Sequence, residues 1–308
     1  MPTMQSPYAN LYAPIFVTVI FITFCDTAHS TSVAVLESKQ GFVILSDSKQ
    51  LHNGPDKTSC GADEIKKVFI ANKRFAVSAI GNACASGVYR NNGVISELRY
   101  NIDSAWIQEL QSSLPQDVSM RDFIKGLESK FASLLPELQA GLTSGYIYPD
   151  DSRNGRFETF VKFVIVGYDN GAPTICILDF NVDWDTHHFI EQPHGWAGDW
   201  KPIKNMQMAF YVFGLAQAVI DILDPKSYAY SYAMAKCPKA FNDFISGRPM
   251  SLDESVGLGR VLIQIEEKVN PGKVGGKITG VQILPNGTAS ELPDTTSLAK
   301  TKTRQQKR

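Results

Sequence analysis

The stretch that decides the fold is TSVAVLESKQGFVILSD, residues 31–47. Two apolar, β-branched segments, Thr31–Leu36 and Phe42–Ser46, flank a short polar link that ends in Gly41. Segments of this kind joined by such a link predict a β-hairpin. The second strand of a hairpin returns beside the start of the first, so we expect Asp47 to lie close to Thr31.

Further strands are predicted on both sides of a helical middle. They are apolar runs, and turn signals separate neighbouring runs. One such signal is Asp169-Asn170-Gly171, between Phe160–Gly167 and Pro173–Asn181. The predicted strands are Lys67–Ala71, Arg74–Ile80, Phe160–Gly167, Pro173–Asn181, His187–Ile190 and Lys277–Leu284.

Three helices are predicted from apolar spacing and capping signals. One begins at Ser119, and its apolar residues recur at spacings of three and four until Pro136 kinks or ends it. Met206–Leu223 reads as a buried helix, and Ser251 with Glu254 forms a capping-box pattern for a helix running to about Val269. No linker or repeat interrupts this order, which predicts one α+β domain with two antiparallel sheets and helices outside them.

The first 30 residues resemble an export signal. Residues 15–24, IFVTVIFITF, form an uncharged, mainly apolar run of ten, and about 20 residues are needed to span a membrane. Ala28-His29-Ser30 fits the small-x-small pattern of a cleavage site. We therefore predict a signal peptide over residues 1–30, removed after Ser30 by a signal peptidase, and a secreted or periplasmic protein. An uncleaved membrane anchor is the alternative.

Composition excludes one class of partner. The chain has 308 residues, 30 basic and 31 acidic, and a net charge of -1, so it lacks the basic excess typical of nucleic-acid-binding proteins. Five of its basic residues fall in the last nine positions, and we expect residues 291–308 to be a disordered basic tail.

The cysteines and histidines suggest no metal site. Cys60, Cys84, Cys176 and Cys237 remain after residue 30, and an exported protein could pair them in any of three ways. They show no C-x-x-C spacing of the kind that binds zinc. His187 and His188 lie near acidic residues, but neighbours in a strand point to opposite faces. We expect neither a metal nor a cofactor.

Thr31 would become a distinctive residue if it were released as a chain terminus. It would then carry a hydroxyl and a free α-amine, whose ordinary pKa of about 7.7–8.0 suits a general base. A threonine of this kind supplies the base for its own nucleophile. Lys67 beside it would lower the pKa of the amine by like-charge repulsion, Asp47 would hold Lys67, and the Gly81 N–H would approach a reacting carbonyl.

The same residues carry a resemblance to a known family. Thr31–Ala85 resembles the start of proteasome β subunits and their bacterial relatives: an Asp sixteen residues after the Thr, then a Lys, then a Gly fourteen residues beyond it. Leu258–Leu284, with Gly275-Gly276, is similar to the last helix, turn and strand of that family.

The resemblance implies a specific fold and activity. The fold is a four-layer αββα sandwich, the N-terminal nucleophile hydrolase fold, over residues 31–290. The activity is hydrolysis of amide bonds through an acyl-enzyme on Thr31, with Asp47, Lys67 and Gly81 as the other site residues and no cofactor. The substrate would be a peptide or a small amide. The resemblance also allows assembly into a homo-oligomer.

The chain departs from the family pattern at three places. Asn270–Val274 stands where the family has an Asp and a Ser before its Gly-Gly turn, and Gly195–Gly198 offers no hydroxyl in mid-chain. Ser30 replaces the Gly that usually precedes the Thr, which makes cleavage by an export peptidase the expected route. A catalytically silent copy of the fold, acting as a binding or scaffold subunit, is the alternative function.

Overall fold

A computed structural model gives the architecture of the chain. It describes residues 31–49, 66–72, 74–91, 93–145, 147, 156–169, 171–190, 210–214, 219 and 221–293. The predicted signal peptide, Cys60, the Gly195–Gly198 turn and the tail from residue 294 lie outside these residues.

The described part of the chain contains twelve strands and six α-helices. The strands are β1 (Ser32–Ser38), β2 (Gly41–Asp47), β3 (Val68–Asn72), β4 (Phe75–Gly81), β5 (Cys84–Asn91), β6 (Val94–Asn101), β7 (Phe157–Asp169), β8 (Ala172–Asp183), β9 (His188–Phe189), β10 (Phe210–Gly214), β11 (Ile278–Ile283) and β12 (Ala289–Glu291). The helices are α1 (Ser104–Ser112), α2 (Met120–Ala132), α3 (Leu135–Thr143), α4 (Tyr228–Lys236), α5 (Pro238–Ile245) and α6 (Leu252–Val269).

Two five-stranded antiparallel sheets form the centre. The first has the order β10-β1-β2-β11-β12, and the second has the order β3-β4-β7-β8-β9. A separate two-stranded sheet consists of β5 and β6. The predicted opening hairpin is present, with Val33 opposite Ser46 and a turn at Lys39 and Gln40.

The two sheets pack face to face. Alternate residues of each strand point to the same face, and one such set from both sheets forms a single buried cluster. Its members include Val33 and Ile44 from the first sheet and Ala76 and Val164 from the second.

Helices cover both outer faces. The remaining apolar residues of the second sheet pack under α1, α2 and α3, and those of the first sheet pack under α4, α5 and α6. Ser251 and Glu254 form the predicted capping box at the start of α6 through both of its hydrogen bonds. The fold is therefore the four-layer αββα sandwich that was expected.

Two sequence predictions are wrong. Met206–Leu223 was expected to be one helix, but Phe210–Gly214 is strand β10, paired with β1 as far as Ser32. Val219 is helical, and Asp221–Leu223 is a short 3-10 helix. An apolar run without alternation fits a buried strand as well as a buried helix, and here the edge of β1 takes it. Pro136 neither kinks nor ends a helix, since α2 stops at Ala132 and Pro136 lies in the first turn of α3.

No helix in the described residues has the length and apolar character needed to cross a membrane.

Candidate active site

Three polar side chains meet at one end of the sandwich. Thr31 directly precedes β1, Asp47 is the last residue of β2, and Lys67 directly precedes β3 of the other sheet. The opening hairpin places the first two side by side, as predicted from the sequence. Their exposed fractions are 3, 0 and 4%, so these polar groups need partners within the protein.

Lys67 joins the other two residues. Its Nζ donates to Thr31 Oγ1 at 2.9 Å and lies 3.4 Å from each carboxylate oxygen of Asp47. It also donates to the backbone carbonyl of Lys49. The ammonium group is therefore held between a threonine hydroxyl and a carboxylate, and its remaining hydrogen bond goes to the backbone.

Backbone N–H groups fix the carboxylate of Asp47. Ser32 N donates to Oδ1 at 2.9 Å, and Lys49 N and Gly275 N donate to Oδ2 at 3.2 and 3.3 Å. All three donors point at an acceptor, which is the arrangement that an ionised carboxylate satisfies best. Because one donor belongs to the residue after Thr31, Asp47 also positions the start of β1.

Burial opposes the charges of the Lys67–Asp47 pair. Desolvation lowers the pKa of Lys67 and raises the pKa of Asp47, while the attraction between the two groups acts in the opposite direction on each. Hydrogen bonds from the backbone N–H groups of Ser32 and Gly275 also lower the pKa of Asp47, so these contacts and the attraction to Lys67 favour the charged pair against burial.

The segment before the Gly-Gly turn closes the site from the side of α6. Gly275 donates its N–H to Asp47, and its carbonyl accepts a hydrogen bond of 3.0 Å from Lys49 N. Lys49 Nζ donates to the carbonyl of Pro271 at 2.6 Å. Val274, which stands where the resembled family has a serine, is buried in the core under α6. This segment thus supports Asp47 through its backbone and brings no hydroxyl.

Gly81 lies at the same end of the second sheet. Its φ is +96°, a conformation that favours glycine, at the last residue of β4. In a strand, successive N–H groups point to opposite sides. Ala79 N donates to Lys67 O and Asn82 N donates to Phe160 O of β7, so the Gly81 N–H faces the side on which Lys67 lies. Its role as an oxyanion donor stays a prediction.

The histidine and aspartate group has another explanation. Asp183 binds Arg156 through both carboxylate oxygens, and it also accepts from the backbone N–H groups of Asp185 and Thr186. Across the described residues no group of three or more His, Cys, Asp or Glu side chains could hold a metal ion. His194 and Asp199 lie outside these residues.

The cysteines differ from one another. Cys84, three residues after Gly81, is disulfide-bonded, whereas Cys176 and Cys237 are free thiols. Burial raises the pKa of both free thiols, to about 12 for Cys176 and about 11 for Cys237, which favours the protonated thiol over the nucleophilic thiolate near neutrality.

Sequence reasoning missed three contributors: Ser32, Lys49 and Gly275. They act on Asp47 or Lys67 through backbone atoms, and backbone contacts leave no residue-type signal.

Comparison with known proteins gives a distant likeness in shape. No protein-family model matches the sequence, and no curated protein matches it. Among solved structures, the chain is similar to the Anbu (Gly-1) mutant from Hyphomicrobium sp. strain MC1, with 14% identity, a TM-score of 0.41 and 86% of each chain covered. It is also similar to Anbu (ancestral beta-subunit) from Yersinia bercovieri, with 12% identity, a TM-score of 0.39 and coverage of 84% of this chain and 86% of that one. At these values the likeness says nothing about activity.

Proposed function

We propose that this chain is an exported N-terminal nucleophile hydrolase of the proteasome type, which cleaves amide bonds with Thr31 after residues 1–30 are removed. The observation that carries the proposal is the buried contact between Lys67 Nζ and Thr31 Oγ1, with Asp47 bound to the same ammonium group. A structural ion pair does not need a threonine hydroxyl beside it, whereas a hydroxyl nucleophile must be oriented and activated by its neighbours.

The reaction follows from these groups. The α-amine of Thr31, directly or through one water, takes the proton from Oγ1 while Oγ1 forms a bond to the carbonyl carbon of the amide. The carbonyl oxygen becomes negative in the tetrahedral intermediate, and the Gly81 N–H stabilises it. The carbon–nitrogen bond then breaks, and the leaving amine takes the proton from the α-ammonium.

Water completes the cycle. The α-amine removes a proton from a water molecule, which attacks the ester carbon, and the bond to Oγ1 breaks as the proton returns to Oγ1. Lys67 acts throughout as a fixed positive charge that lowers the pKa of the amine and orients Oγ1. No cofactor enters these steps, and the chemistry applies to a peptide or to a small amide.

Two further observations support export. Residues 15–30 carry the apolar run and the small-x-small pattern, and Cys84 is in a disulfide, which is typical of proteins that mature outside the reducing cytosol.

The first test is N-terminal sequencing of the exported protein, followed by reaction with a dipeptide α′,β′-epoxyketone and with p-nitrophenyl acetate. We expect a chain that starts at Thr31. Mass mapping should place the epoxyketone on both Oγ1 and the α-amine, since its two electrophilic carbons close a ring on those atoms. Thr31→Ser should keep this capture and Thr31→Ala should lose it. A mature chain that starts elsewhere rejects the mechanism.

A second candidate is a catalytically silent scaffold subunit, and the apolar, buried Val274 beside the site favours it. A chain that starts at Thr31 but reacts with neither reagent would establish this alternative.

A further inference from the structure

The turn that follows β4 is held on two sides. This turn, residues 81–83, connects Gly81 to strand β5. On one side Asn82 N donates to Phe160 O of β7 at 2.9 Å, and Ala83 N donates back to Gly81 O at 2.8 Å. On the other side the β5–β6 hairpin returns beside the turn at its last residues, where Ile102 N donates to Ala83 O at 2.8 Å.

One side chain of the hairpin also reaches the turn. Tyr100, near the end of β6, donates its hydroxyl to the carbonyl of Asn82 at 2.7 Å. The tyrosine is 6% exposed and packs in the core under α1 to α3, so its position is set by the core and does not depend on solvent. The opposite strand carries Ala85 in register with it.

The hydrogen bond from Tyr100 is made to the residue directly after Gly81. Tyr100 fixes the peptide after Asn82, and Phe160 fixes the peptide before it. With both peptides held, the left-handed φ of Gly81 has little freedom to relax. The direction of the Gly81 N–H therefore depends on Tyr100 as well as on β7.

We propose that Tyr100 is a positioning residue for the oxyanion contact: by holding the Asn82 carbonyl, its hydroxyl keeps the turn 81–83 in the conformation that aims the Gly81 N–H at the substrate carbonyl. The inference rests on the proposed function, because it needs an acyl-transfer reaction at Thr31. Tyr100 itself touches neither Thr31 nor Lys67 in the described contacts.

Burial keeps the donor protonated. It raises the pKa of the Tyr100 hydroxyl far above the range in which an enzyme works, so the hydroxyl stays protonated and donates at every working pH. Loss of the contact should then lower the rate by the same factor at each pH. Damage to Lys67 or to the α-amine would instead move the pH dependence.

The test compares Tyr100→Phe with Tyr168→Phe in the exported protein. Tyr168 is a matched control, because it is 7% exposed and packs against Phe42 in the cluster between the sheets. The probe is p-nitrophenyl acetate, and the readout is the rate of p-nitrophenolate release in the burst that acylates Thr31, measured from about pH 6 to about pH 9, on either side of the ordinary amine pKa.

We expect Tyr100→Phe to slow the burst roughly 10-fold, less than the 10²–10³-fold typical of removing an oxyanion donor, because the donor is displaced and not removed. The inflection of the pH profile should stay in place, and amide hydrogen exchange at residues 81–83 should become faster. Tyr168→Phe should change neither.

Three results separate the possible failures. No burst from the unaltered protein removes the proposed function and this inference with it. A normal burst that Tyr100→Phe leaves within twofold overturns the inference alone. A shifted pH inflection, or unchanged hydrogen exchange at 81–83, also overturns it, since either result would place the effect outside the turn.

Discussion

Thr31 and Lys67 are 36 positions apart in the chain, yet Lys67 Nζ lies 2.9 Å from Thr31 Oγ1. The two residues precede the first strands of opposite sheets, so the contact forms only when the sheets have packed together. Folding and assembly of the proposed site are therefore one event.

Replacement of this lysine gives the first prediction. Lys67→Met keeps most of the length of the side chain and removes its charge. We expect acylation of Thr31 by p-nitrophenyl acetate to slow by about 10²-fold or more, the range for a lost electrostatic contact at a reacting site. Lys66→Met is the control, because Lys66 pairs with Glu291 and is one-third exposed. Equal rates for Lys67→Met and the unaltered protein would show that the ammonium is only structural.

The pH dependence of the same reaction is a second prediction. The charge of Lys67 opposes a second positive charge on the α-amine, so the amine should lose its proton below its ordinary pKa of about 7.7–8.0. The acylation rate should rise with pH and level off with an inflection below that range. Stopped-flow measurement across the neutral region checks this. An inflection at or above the ordinary value argues against a nearby cation.

Gly81 provides a third prediction. Gly81→Ala places a Cβ on a residue with φ +96°, at a cost of roughly 1–2 kcal/mol, and should turn the N–H away from its direction. We expect the Thr31 burst to slow by more than tenfold. Gly93→Ala is matched in strain, with φ +82° and nothing within 4 Å of the added Cβ, but it lies in the turn between β5 and β6. It should lose similar stability and keep the burst rate.

A fourth prediction concerns how α6 packs on the first sheet. A Cβ on Gly259 would meet Leu45 Cδ1 at 2.4 Å and Leu36 Cδ1 at 2.8 Å, and both leucines are buried. Gly259→Ala should lower the free energy of unfolding by about 1–3 kcal/mol through overpacking. Gly257→Ala meets nothing within 4 Å and should raise it by roughly 0.5–1 kcal/mol. Denaturant titration measures the free energy of unfolding of both variants. Equal values for the two would show that α6 does not pack closely on the first sheet at Gly259.

The fifth prediction is a stability effect at acid pH. Hydrogen bonds from Arg156 lower the pKa of Asp183 to about 2, below the value of an unfolded aspartate. A depressed folded pKa stabilises the protein above the unfolded pKa and ceases to do so as pH falls through the folded one. The Tm of Asp183→Asn should thus lie below that of the unaltered protein near neutrality, and the gap should close between about pH 4 and about pH 2. A constant gap would mean that Arg156 does not prefer the ionised form.

Sequence reasoning reached the strands that alternate or meet at clear turn signals. The opening hairpin, β3 with β4, and β7 with β8 were predicted because each joins apolar runs through polar or glycine turns. Strand β10 was missed, since its apolar run lacks alternation, and it pairs with the edge of β1 that β2 leaves free. The β5–β6 hairpin was missed as well. Its exposed Val88, Val94 and Ile95 break the usual pattern of one apolar face.

Some residues of the candidate site could be predicted from the sequence, and others could not. Thr31, Asp47 and Lys67 were found by spacing because hairpin geometry and side-chain chemistry are both visible in residue types. The donors to Asp47 were not found, since an N–H from Ser32 or Gly275 is common to nearly all residues. Tyr100 could not be found either. Its partner is the backbone carbonyl of Asn82, and strand β6, which carries Tyr100, was not predicted.

Strand β1 is an inner strand, with β10 on one flank and β2 on the other. Ends of polypeptides usually fray, which makes them poor places for atoms that must be held to a fraction of an ångström. A terminus made by cutting before Thr31 would instead already belong to a hydrogen-bonded sheet. Val33 pairs with Ser46, and the N–H of Ser32 donates to the carboxylate of Asp47. Such an end needs no ordering after the cut, so the proteolytic event and the gain of reactivity would coincide.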